Sequence, residues 1–421
     1  LAGITSVHFW SIVDRRLGTA RLTPRTLLAQ SRRMIARASV VASLAGSAVL
    51  FACSNSTDQD PPANNPDGSI QEPKPDAPPV STPDAPPLPP DGPSNGQYRF
   101  LCDAPKPAGS PTPVMPLLPT AGCPVLTPGT NTITSSANAR QFILVVPANL
   151  QPNEHPPVLF MWHWLGGGPD SFLQRGQVQA AADDQRFIGV IPYSKGANII
   201  GTSFNLRWPF DISQSPARMN EEFTFFDDML ACVNNQFTIN QSCISTVGVS
   251  AGALFTDQLA QARSQTLASF MSLSGGTGAT IIKPWAGAAR KLPGLVLWGG
   301  DGPPMMDGAT DLLGCAGLGM NFSIASRDLE TALAADGHFI VECRHNCGHV
   351  EPPLTPYMNE SQYAGMWQFA WNHPYWLPQG QSPFLTDGIP PQMPEWCAIG
   401  AGNSTPRSGG GCPAAENPCP N

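Results

Sequence analysis

Ser250 stands in Gly248-Val249-Ser250-Ala251-Gly252, where a β-branched run from Ile244 ends and an amphipathic helical pattern reaching Arg263 begins. A sharp strand-to-helix turn of this kind pushes the central hydroxyl out toward a substrate. It needs small neighbours, because a Cβ beside the turn would collide with the strand or the helix. The pattern alone carries little weight in a chain with 40 glycines. Gly92-Pro93-Ser94-Asn95-Gly96 matches it too, yet it lies in a proline-rich stretch with no strand before it and no helix after it. Context selects Ser250 as the candidate nucleophile.

A serine hydroxyl is a weak nucleophile at neutral pH, so a base must take its proton and a carboxylate must orient that base. His349, in Cys347-Gly348-His349-Val350, follows a predicted strand and its turn and is the candidate base, with His345 as its rival. Asp301 follows the predicted strand Leu295 to Trp298 through Gly299-Gly300, which puts it on a loop at the carboxyl edge of a sheet. Asp307 and Asp311 share that loop, and Asp307 is the alternative acid. The order Ser250, Asp301, His349 is the Ser-Asp-His order of one fold class. Attack on a carbonyl also builds negative charge on oxygen, which backbone N–H groups must meet. The loop His163-Trp164-Leu165-Gly166-Gly167-Gly168 is placed to supply one donor, and the amide of Ala251, next after the nucleophile, the other.

Cys343, His345, Cys347 and His349 alternate, and both residue types bind zinc. An extended strand spreads such a set over roughly 20 Å, and structural zinc sites draw on separated ligand pairs, so neither a metal nor another cofactor is expected. Eleven cysteines point instead to an oxidising compartment and disulfides. Cys232 and Cys243 flank a helix-to-strand connection just ahead of the Ser250 turn, and a bridge between them is expected to hold that strand in register. The pairing of Cys102, Cys123, Cys315, Cys343, Cys347, Cys397, Cys412 and Cys419 stays open.

The elements that must carry these residues alternate. Strands are predicted over 141–147, 157–162, 187–193, 244–249, 270–273, 295–298 and 338–343, and helices over 222–233, 253–263, 326–335 and 362–371. Strands separated by helical patterns imply a mostly parallel sheet covered on both faces, an α/β architecture. Residues 99–390 are expected to form this domain, and 391–421 an irregular tail stapled by its cysteines.

The front of the chain has a different character. Arg32, Arg33 and Arg37 precede an apolar run from Ala38 to Ala52 that is too short to span a bilayer. Leu50-Phe51-Ala52-Cys53 resembles a bacterial lipoprotein cleavage box, which makes Cys53 the expected lipidation site, Met34 the expected start and 1–53 a leader. An ordinary secretory signal is the alternative, and both export the protein. Residues 54–98, where prolines alternate with Asp, Ser and Asn, are expected to be a disordered tether. A net charge of −8 with no basic run in the body of the chain argues against nucleic acid and favours a neutral substrate. Membrane contact is expected through the lipid anchor alone.

From Phe142 to His373 the chain resembles the α/β-hydrolase superfamily, and within it the exported esterases grouped with polyhydroxybutyrate depolymerases, feruloyl esterases and acetylxylan esterases. The likeness rests on the glycine loop, Gly248 to Gly252, the Asp301 loop and Gly348-His349. It implies Ser250 as nucleophile, Asp301 as acid, His349 as base, and Trp164 or Leu165 beside Ala251 in the oxyanion hole. Relatives usually carry glycine directly after the loop histidine, where this chain has Trp164. Trp162, Trp164 and Trp208 are candidates to line an aromatic acyl or aryl pocket, although tryptophans beside a sheet are more often core. The expected activity is serine esterase chemistry through an acyl-enzyme on a small or polymeric ester. A peptidase on the same fold and a non-catalytic surface-binding lipoprotein are the alternatives.

Overall fold

The structure, a computed structural model, describes residues 99–199, 204–279, 281–299, 312–315, 318–358 and 360–414. The leader, Cys53, the tether, Asp301, Asp307, Asp311 and Cys419 lie outside the described residues. No helix among those described is long and apolar enough to cross a membrane.

Among the described residues a nine-stranded sheet forms the centre, in the order β1 (Gly129–Ser135), β2 (Asn138–Val145), β4 (Ile188–Pro192), β3 (Val158–Trp162), β5 (Ile244–Val249), β6 (Ser269–Leu273), β7 (Gly294–Gly299), β10 (Ile340–His345) and β11 (Cys397–Ile399). The six strands from β4 to β10 in that order run parallel, and β1, β2 and β11 pair antiparallel at the edges. A separate hairpin joins β8 (Leu312–Cys315) to β9 (Leu318–Asn321). The predicted parallel sheet is thus present. The strand β1 was not among the predicted strands, because its Thr/Asn-rich sequence buries only every second residue.

Strand β3 shows how the sheet is covered on both faces. Val158, Phe160 and Trp162 enter the core on one side, and Leu159 and Met161 the core on the other. The first side is filled by α3 (Pro216–Gln236), α4 (Ala251–Ala262) and α5 (Phe322–Asp336). The second is filled by α1 (Pro169–Arg175), α2 (Val178–Gln185), α6 (Ala364–Trp371) and the short α7 (Phe384–Asp387). Helices α3 and α5 begin earlier than their apolar periodicity suggests because each has a cap. Ser215 accepts from the Arg218 amide, with Pro216 in the first turn, and Asn321 accepts from the Ile324 amide.

Two expectations need correction. The bridge Cys232–Cys243 is not formed: Cys243 pairs with Cys102 and Cys232 with Cys123. The reason lies in the stretch before β1, which lies along α3. Gln236, one turn beyond Cys232, binds the Pro124 carbonyl and the Leu126 amide, while Asn240 donates to the Cys102 carbonyl. Each cysteine therefore meets this stretch before it can meet the other. The tail, in turn, is not wholly irregular, since Cys397–Ile399 pairs with β10 and Cys343–Cys397 and Cys347–Cys412 tie it down. Four disulfides among the described residues fit an oxidising compartment.

Charge is buried where it is paired. Glu222 of α3 is fully buried between Arg140 of β2 at 2.8 Å and Arg218 at 2.6 Å, and the Arg140 guanidinium lies over the Phe225 ring. Asp257 of α4 accepts from the Ser272 hydroxyl and the Gly276 amide, and burial pushes its carboxyl up to about 8. Burial first, and then the neighbouring Glu342, push Glu330 up to about 8 while it accepts from the Trp298 indole. Burial lowers His163 and His373 to about 4, so both are neutral in the fold.

Removing one member of the buried ion network strands the others, so Glu222→Ala is expected to cost about 3–5 kcal/mol in chemical denaturation. The two acids keep their protons in the folded chain up to about pH 8 but release them in the ordinary carboxylate range once unfolded, so their contribution falls as pH rises between those limits. The two histidines work in the opposite sense, and only between about pH 4 and 6.5. Unfolding free energy is therefore expected to decline from about pH 6.5 to 8 and then level, and Asp257→Asn to shrink that decline, as urea titrations across pH will report.

Candidate active site

Strand β5 runs into the turn at Ser250 and helix α4 leaves at once from Ala251. Ser250 sits at φ 54° and ψ −120°, a conformation that is costly for a residue with a Cβ and is held only where the surroundings dictate it. Both flanking glycines are required. A Cβ on Gly248 would stand 2.2 Å from the Gly252 carbonyl oxygen, and one on Gly252 would stand 2.0 Å from that of Trp162. The turn is thus pressed against β3 with no room for a side chain. Ser250 keeps its own amide bonded to the Leu273 carbonyl, while Ala251, as the first helical residue, has no intrahelical acceptor for its N–H.

The Oγ of Ser250 lies 3.0 Å from Nε2 of His349. His349 arrives from the loop after β10, where Gly348 turns at φ 67°, and its ring stacks on Phe322 at 4.2 Å and 15°. Phe322, the first residue of α5, carried no signal in the sequence beyond being apolar. The rival His345 is fully buried, its Nδ1 accepting from the Cys347 amide, and it is not among the residues lining the cleft over Ser250. Cys343 and Cys347 are both in disulfides, which takes two thiols out of the alternating Cys/His set. The acid candidates Asp301 and Asp307 lie outside the described residues, but the strand leading to them is not: Gly299, at the end of β7, pairs with His345 of β10.

The glycine loop follows β3 directly. Its first residue, His163, is buried and its Nδ1 lies 2.9 Å from the Trp164 carbonyl. A carbonyl only accepts, so Nδ1 carries the proton and the ring clips the loop to itself. The Trp164 ring lies over the loop itself, and a Cβ on Gly167 would meet it at 2.4 Å. The Arg175 guanidinium stands 5.1 Å from the same ring.

A cleft of about 130 Å³ opens over Ser250 and His349. Trp164, Phe172, Tyr363 and Trp367 give it aromatic walls, and Val249, Leu273 and Val350 are among its aliphatic ones. Trp164 therefore reaches the cleft as expected, but Trp162 and Trp208 do not. Both are fully buried core posts: the Trp162 indole donates to Thr246, the Trp208 indole donates to the His163 carbonyl, and the rings meet edge-on at 5.1 Å. Even spacing along β3 turns Trp162 toward α4, away from the opening. Phe172 of α1, Trp367 of α6 and Tyr363 at the N-terminal cap of α6 were missed because no motif marks them in the sequence.

Solved structures share this architecture. Native sOPH is 17% identical with a TM-score of 0.52, the match covering 68% of this chain and 98% of that one. Native pOPH gives 17% and 0.50, with 67% and 98% covered. The fold is the α/β-hydrolase fold. Feruloyl esterase D of Neurospora crassa is 27% identical over 165 residues, which are 37% of this chain and 54% of that protein. The chain thus spans about half the length of the curated relative it matches. No protein-family model matches. The likeness to a feruloyl esterase is carried by the Neurospora relative, and the solved structures carry the fold.

Because the elbow leaves no space at Gly252, Gly252→Ala is expected to destabilise the chain by about 1–3 kcal/mol, read as a lower midpoint in urea with unchanged slope.

Proposed function

We propose that this chain is an exported serine esterase that cleaves carboxylic esters through an acyl-enzyme. The observation that carries the proposal is the 3.0 Å approach of Ser250 Oγ to His349 Nε2 at the head of a strained strand-to-helix turn, under a cleft with aromatic walls. In this reading His349 takes the hydroxyl proton as Oγ attacks the ester carbonyl carbon. The proton then goes to the departing alcohol as its C–O bond breaks, and water, activated by the same ring, releases the acid.

Asp301 is assigned to orient His349. The pairing of β7 with β10 supports it, since the loop after Gly299 starts beside the strand that leads to the histidine, and Asp307 on that loop is the alternative. The oxyanion is assigned to the amide of Ala251 and to an amide of the glycine loop at Trp164 or Leu165. The aromatic walls favour an aryl or other flat apolar group, and the volume of about 130 Å³ is on the scale of protein cavities that take up one benzene ring. The name of the Neurospora relative, a feruloyl esterase, agrees with an aromatic acyl group. The disulfides support export, and a lipid anchor at Cys53 is the proposed means of retention.

Hydrolysis of p-nitrophenyl esters from acetate to decanoate, and of an aryl acrylate ester, is the test. Ser250→Ala and His349→Ala are each expected to lower kcat by about 10⁶, and the orienting acid by about 10⁴. Asp301→Asn and Asp307→Asn run side by side identify that acid. A folded wild type that is inert on every ester but cleaves peptide p-nitroanilides overturns the esterase reading in favour of a peptidase, and one inert on both classes favours a binding role.

A further inference from the structure

The chain that delivers His349 is not held by the sheet alone. From Cys397 onward the C-terminal residues run back along β10 and the loop after it, tied at almost every step. Cys397 is bridged to Cys343, and the Ser404 amide donates to Glu342. The Arg344 guanidinium binds the Ser404 hydroxyl, and the Arg407 amide donates to the Arg344 carbonyl. Arg407 donates to Asn346 Oδ1 at 2.8 Å, Asn346 donates to the Gly409 carbonyl, and Arg407 donates to the Gly410 carbonyl. Cys412 is then bridged to Cys347, two residues before the histidine. Beyond that bridge the segment comes to the cleft: Ala414, exposed to solvent, lines it with Ser250, His349 and Val350.

We propose that Ala414, brought to the cleft two residues beyond the Cys347–Cys412 bridge, is a specificity-determining residue at its rim and sets how long a chain passes. A cavity that holds about one ring must send any longer substituent out across its mouth, where Ala414 stands. Such a residue needs a fixed backbone to discriminate, because a mobile segment yields to a longer ligand. The ladder of bonds and the bridge fix the segment as far as Cys412, two residues before Ala414. The inference rests on the esterase reading for the chemistry it serves, but not for its geometry.

The test is calorimetric binding of ethyl and hexyl 4-nitrophenyl ether to the full chain and to Ala414→Trp. Neither ether is an ester, so no turnover is needed. The exposed position at 414 leaves the core untouched by the substitution. Hexyl ether affinity is expected to fall roughly tenfold more than ethyl ether affinity. Equal changes for both ethers, no change for either, or no measurable binding to the unsubstituted chain overturns the rim role. Unaltered discrimination beside intact ester hydrolysis rejects the rim role alone, whereas selective loss of hexyl ether binding in a chain that cleaves no ester rejects the esterase reading alone.

Discussion

The site depends on how closely helix α4 approaches strand β3. With a Cβ at Gly252 only 2.0 Å from the Trp162 carbonyl oxygen, the helix can start flush against the sheet only if that residue has no side chain. Gly248 meets the same demand from the strand side. Once both are glycine, the turn between strand and helix has no slack, and Ser250 is driven to φ 54°. The cost of that conformation is of order 1–3 kcal/mol, and the packing of β5 and α4 on either side of the turn sustains it. Strain here is a consequence of sheet packing, and it is what lifts the hydroxyl off the sheet toward the cleft.

The histidine is held by an unrelated set of forces. Strand β10 lies beside β7 in register, Phe322 stacks on the imidazole, and the C-terminal segment binds the residues that precede it. Two structures that share no local sequence thus converge on one hydrogen-bond distance. Because each is fixed by covalent or buried contacts, the meeting of Ser250 with His349 is built into the folded chain before any ligand arrives.

Between these two halves, the sheet is an apolar body in which indoles act as polar ties. Trp162 bonds Thr246 on the next strand, Trp208 bonds the backbone under the glycine loop, and Trp298 bonds Glu330 of α5. Large rings fill volume, while their N–H groups find a partner and fix orientation. The neutral, buried His163 does the same for the loop that begins with it.

Strand β5, the turn and the helix after it were legible because they are local: a β-branched run, small residues at fixed offsets, then an amphipathic pattern. The choice of His349 over His345 also followed from position after a strand, as did the parallel sheet from alternation. The disulfide partners of Cys232 and Cys243 were not legible, since they lie more than a hundred residues away in a stretch without periodicity. Nor were the cleft walls, where Trp162 points into the core while Trp367 of α6 lines the opening. By itself the sequence determined the main elements and the strand-to-helix turn that carries Ser250, because periodicity and turn stereochemistry act within a few residues. Tertiary structure alone decided which cysteines meet and which aromatic rings line the cleft, because those depend on packing between segments far apart in the chain.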